Sequence, residues 1–213
     1  DQLRPLAEEL ADTAGGHLDV VMPVFDALAY HGHLEILAAA VQRAWPLVED
    51  GDDYFEWAIA EFGVYAAFVG MLNYIERTDS PEIARLDDIR RQYGETEAAL
   101  PTSSMFLAYI TGTADRHWEK TDFEGKGAEL SDKNQQNLYL LSLEFLGYLK
   151  RRYDIPYAKG ELARSQILPY FLRRQAGDLE GDGVQRQNKR KKSSRPLPFL
   201  CPDAATFERY IVG

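Results

Sequence analysis

Cysteine is almost missing from this chain. The lone Cys201 can form no internal disulfide, and without a second thiol there is no CxxC redox motif and no cysteine-based metal knuckle. One thiol fits a reducing compartment. The N-terminal residues carry neither a basic segment nor an apolar run of signal type. The expectation is a cytoplasmic protein whose start at Asp1 reflects trimming or processing.

Signatures of catalysis are missing as well. There is no GxGxxG, GxSxG or HExxH. Gly125-Lys126-Gly127 lacks the spaced glycine and the Ser/Thr of a phosphate loop. Asp178-Leu-Glu-Gly-Asp-Gly183 opens like a calcium loop, but Lys189 stands where a bidentate glutamate is required. His31 and His33 are two apart across a turn, whereas ligands on one helical face need a spacing of three or four. His17 and His117 are isolated in the sequence. No cofactor and no metal is implied. Catalytic carboxylates need no signature, so a helical enzyme or small-ligand sensor stays as a secondary reading.

Lysine is absent from residues 1–100, which hold 20 Asp/Glu against 6 Arg. That half has a net charge of −14 and the rest +4, within an overall −10. An acidic half repels nucleic acid and anionic membrane. Any anion-facing surface is therefore expected in the second half.

Strand-like alternation is lacking too, and helical periodicity takes its place. Apolar residues make up 45% of the 213, enough for one sizeable core. A first helix is expected over 3–13, ended by Gly15-Gly16. A broad apolar helix covers about 53–77, capped by Asp52 or Asp53, with Gly63 and Gly70 seven apart. Residues 57–75 are about long enough to cross a bilayer. Glu61 and Asn73 interrupt them and the flank is acidic, which favours a buried central helix. Ser80-Pro81-Glu82 reads as a helix start and Gly94 as its stop. Further helices are expected over 103–118, from Ser131 or Asp132 to about Tyr153 with Leu138, Leu141, Phe145, Leu146 and Leu149 inward, and over about 158–176. Pro46 and Pro169 should kink or split their helices.

The stretch 23–49 reads as two helices meeting at Gly32. Within it Gly32, Val41 and Ala44 match the inter-helix glycine and the second-helix positions of a tetratricopeptide repeat, with Leu34 in the place of the family's aromatic, and the region resembles that family. The resemblance implies an irregular helical solenoid with a partner-binding groove. Leu37 stands where the family prefers alanine, and no clean second copy follows at a fixed period. A compact α-α bundle is the other arrangement the residues allow.

Two sets of residues are candidates for contact with partners. Tyr65, Tyr74, Tyr109, Tyr139 and Tyr148 fall at helix edges and suit a groove for a peptide. Arg186, Lys189, Arg190, Lys191, Lys192 and Arg195 form a basic run suited to an anionic partner such as nucleic acid, or to a solvated loop. No aromatic lies between these charges to stack on bases. The expected organisation is a helical domain over 1–180, a basic linker over 181–195, and a segment over 196–213 that packs back. The fold is read as all-α, an irregular array of helical hairpins with about eight to ten helices. The function is read as a non-catalytic scaffold for a protein or peptide partner, with a nucleic-acid-associated role through 186–195 as the alternative and no membrane association.

Overall fold

Gly32 turns the chain between two helices with φ of 77°, a left-handed conformation open to glycine without steric cost. His33 N–H then bonds back to Leu28 O at 2.8 Å. This hairpin belongs to an all-α fold, seen in a computed structural model that describes residues 2–51, 54–94, 101–115 and 132–176. Among them are eight helices and no strand: α1 (Leu3–Ala11), α2 (Ala14–Tyr30), α3 (Leu34–Glu49), α4 (Glu56–Glu76), α5 (Ile83–Gln92), α6 (Ser103–Thr111), α7 (Asp132–Tyr153) and α8 (Tyr157–Ala176).

The chain divides into two compact units, one of residues 1–114 with 144–162, the other of residues 115–143 with 163–213. In the first unit α3 is central and packs against α1, α2 and α4. Helix α4 carries α5, and α5 carries α6. The core holds Phe25, Leu37, Val41, Trp45, Phe62, Met71, Leu72, Leu86, Phe106 and Ile110, all buried. Fully burying each large apolar side chain stabilises the fold by roughly 1.5–3 kcal/mol. Helix α4 is long and apolar enough to cross a membrane by length and composition, and half of its most apolar window is buried inside the fold. Its Phe62, Ala66, Val69 and Leu72 are all buried.

In the second unit, Leu138, Leu140 and Leu143 are buried along α7, and Tyr170 is fully buried on α8. Arg164 donates to Ser142 Oγ at 3.0 Å, and its guanidinium lies 5.4 Å from the centre of the Tyr139 ring.

Several boundaries differ from the sequence reading, some for a long-range reason. Gly15 and Gly16 do not end α1. They lie in the first turn of α2, which bends at His17 (φ −138°, ψ 43°), and a Cβ at Gly15 would sit 3.2 Å from Leu47 O. The glycine lets the start of α2 lie close to the end of α3. Helix α4 is capped by Phe55 rather than by an aspartate. Helix α5 starts two residues later than Ser80-Pro81 suggests, because the Tyr74 hydroxyl accepts the Glu82 N–H at 3.1 Å and Glu82 becomes the cap. Gly112 stops α6 at φ 76°, and the Arg151 guanidinium occupies the space beside it while donating to Ile110 O. That side chain supplies a donor to a helix-end carbonyl. The inward face of α7 is Leu138, Leu140, Leu143 and Leu146, while Leu141, Phe145 and Leu149 are only half-buried. Pro46 and Pro169 each lie within one continuous helix. Asp154 breaks the chain at φ 51° as its position before Ile155-Pro156 suggests. The linker and C-terminal segment expected beyond residue 180 lie outside the described residues.

Candidate functional site

The first unit carries an open groove of about 400 Å³ between α3, α4 and α5, with Arg4 of α1 at one edge. Small residues take part in its lining, and the reason lies in helix packing. Ala38 and Ala39 project little from α3. Gly70 on α4 allows α5 to come close: a Cβ there would lie 2.8 Å from Ile89 Cγ2 and 3.4 Å from the Tyr93 ring. The walls are polar. Gln42 comes from α3, Asn73 and Tyr74 from α4, and Gln92 from α5. A smaller space of about 330 Å³ adjoins it along Gly32, His33, Leu34, Glu35 and Ile36, sharing Arg4 and Glu35.

Three guanidinium groups stand around this space: Arg4, Arg77 and Arg85. One carboxylate, Glu35, lines it with them. Arg4 Nη2 donates to Glu35 Oε1 at 2.7 Å, and Arg77 Nη1 lies 3.6 Å from the same oxygen. Arg4 also approaches Glu8 at 3.9 Å. These groups are accessible, with Glu35 side-chain exposure of 55% and Arg77 of 59%, so their pairing is worth little on its own, about 1 kcal/mol or less. Arg85 is exposed and forms no ion pair among the described residues. Burial pushes the phenol of Tyr93 at the groove base upward, so its hydroxyl stays protonated. Guanidinium groups keep their protons at any working pH. The arrangement therefore suits recognition of an anion and of amide groups.

The tyrosines expected to line a groove have different fates. Tyr74 lines it and holds the start of α5 through Glu82. Tyr65 is half-buried and stacks on Phe25 at 6.5 Å and Phe62 at 6.1 Å, in the aromatic core. Burial, with the charges of Asp26 and Glu161 beside it, drives its phenol well above the ordinary tyrosine range. Tyr109 is buried in α6. Tyr148 is exposed and meets Tyr153 edge to face at 5.7 Å. Tyr139 belongs to the second unit, under Arg164. The basic residues Arg186, Lys189, Arg190, Lys191, Lys192 and Arg195 lie outside the described residues. His31 and His33 have ring centres 6.4 Å apart, and no group of three metal-ligating side chains occurs among the described residues.

The groove residues Arg4, Glu35, Gln42, Asn73, Arg77, Arg85 and Gln92 escaped sequence reasoning. So did the location of the groove, which lies in the acidic half. A signal existed: that half has few cations, and all are arginine. No family model, no curated protein and no solved structure matches this chain.

Proposed function

We propose that this chain is a non-catalytic helical scaffold of the cytoplasm, and that a peptide segment of a partner protein lies in the groove between α3, α4 and α5. One observation carries the reading: the groove is open, and its lining combines the small Ala38 and Ala39 with the amides of Gln42, Asn73 and Gln92. An extended peptide presents N–H and C=O groups in alternation, and a side-chain amide both donates and accepts. The small Ala38 and Ala39 let such a backbone come near α3. The hairpin of α2 and α3 at Gly32, with its likeness to a tetratricopeptide unit, supports the same reading, since stacked hairpins serve as binding surfaces in such scaffolds.

The test is selection of peptides from a random displayed library against the purified chain, with Ala39→Trp as the blocked control. Selected peptides should bind the chain and lose binding to Ala39→Trp. If no peptide is selected, or if the selected ones bind the blocked variant equally well, the reading fails.

A further inference from the structure

We propose that the groove selects an acidic peptide, with Arg85 as its standing cation and Glu35 as an internal occupant of the carboxylate position that the ligand displaces. This rests on the peptide-binding reading above.

The argument starts from how the six arginines of residues 1–100 are used. Three lie away from the groove, and each has its own carboxylate: Arg43 with Asp12, Arg90 with Asp87 at 3.5 Å, and Arg91 with Asp88 at 3.8 Å. The other three, Arg4, Arg77 and Arg85, line the groove, where Glu35 is the carboxylate among the lining residues. In a half with twenty acidic side chains, a cation without a partner is unexpected unless its position is set by something else. Arg85 is such a cation among the described residues.

Carboxylate chemistry is already displayed there. Arg4 holds Glu35 at hydrogen-bond distance, while Arg77 stays at 3.6 Å from the same oxygen, a looser hold. A guanidinium accepts a carboxylate through two parallel N–H donors. An incoming Asp or Glu side chain can take the donors of Arg85 directly and draw Arg77 from Glu35. The remaining acidic surface repels such a peptide at long range, but that repulsion is screened beyond about 8–10 Å at physiological ionic strength. Within the groove the lining holds three arginines to one carboxylate residue.

The experiment is fluorescence anisotropy on the full chain with three labelled peptides of equal length and a shared Gly/Ser background, carrying Glu, Lys or neither. The Glu peptide should bind best. Arg85→Ala, an exposed position, should weaken it by about three- to fivefold, the upper range for an accessible ion pair. Glu35→Gln should tighten it, by about threefold, because an internal competitor is gone; a structural role for Glu35 moves affinity the other way. Ala39→Trp should abolish binding. Preference for the Lys or neutral peptide, blocked by Ala39→Trp, overturns the acidic assignment and leaves the peptide reading standing. Binding of the Glu peptide unchanged in both Arg85→Ala and Glu35→Gln also overturns it. Absence of binding by every peptide overturns both.

Discussion

Helices α3 and α4 face each other along their length, yet their two ends are built differently. At one end Trp45 of α3 stacks on Phe62 of α4 at 6.3 Å and meets Tyr93 edge to face at 5.9 Å. Gly63 sits under the indole, where an added Cβ would lie 3.0 Å from the Trp45 ring and 2.8 Å from Tyr93 O. Phe25 and Tyr65 extend the same cluster. At the other end α3 presents Glu35, Ala38 and Ala39, and α4 presents Gly70, Asn73 and Arg77. No aromatic volume comes from α3 there, and the groove is what remains. The lesson is that one helix pair holds both stability and a binding surface by distributing side-chain volume unevenly. The filled end tolerates no loss, and the open end has room to be altered.

The largest expected effect comes from emptying the filled end. Trp45→Ala should destabilise the fold by about 3–5 kcal/mol, the range for deleting a buried aromatic side chain, read from the midpoint of urea unfolding. A cost under about 1 kcal/mol means that the two ends do not differ in the way described. Next comes a paired substitution that weighs one end against the other. Gly63→Ala meets backbone and a rigid indole and should cost about 1–3 kcal/mol. Gly70→Ala meets only side chains, chiefly the Cγ2 branch of Ile89, which gives way by a small shift of α5 rather than by rotation, and should cost less, about 1 kcal/mol. Equal costs at the two glycines erase the contrast.

The smallest effect concerns Asp26, whose charge acts on Tyr65 in the aromatic cluster and whose carboxyl is raised by desolvation. A raised acid binds its proton more tightly in the folded state. Stability is therefore lost as pH rises from the ordinary carboxylate value through the folded one, and the loss persists at neutral pH. Asp26→Asn should stabilise the fold at neutral pH by about 0.5 kcal/mol or less, since the group is largely exposed. It should change nothing at acid pH below the carboxylate range. Urea unfolding at the two pH values checks the sign.

Much of the helical order is legible in the residues themselves. Gly32, Gly94 and Gly112 all take positive φ at helix ends, and Asp154-Ile155-Pro156 separates α7 from α8. Gly112 nevertheless falls inside the helix expected over 103–118, because the group that settles the stop, Arg151, lies 41 residues from Ile110, the residue whose carbonyl it meets. Ser80-Pro81 is a good local start signal, but the Tyr74 hydroxyl offers the Glu82 N–H a better partner and moves the start. Gly15-Gly16 looks like a stop until Leu47 is seen beside it. The groove was less legible than the fold. Tyrosine was the residue type expected to mark it, and only Tyr74 of those proposed lines it.

The chain's own order of residues determined the all-α class, the turn at Gly32, the buried character of α4 and the acidity of the first hundred residues. These follow from periodicity, from the conformational freedom of glycine and from charge counts, all of which are local or additive. Only the tertiary structure decided which arginines are neutralised and which are gathered around Glu35, and which of α4's two glycines lies under an indole and which beside an open groove. Ion pairing and empty volume depend on side chains that are far apart in the chain and meet only after helices pack. A half with a net charge of −14 can therefore place three of its six arginines along one groove.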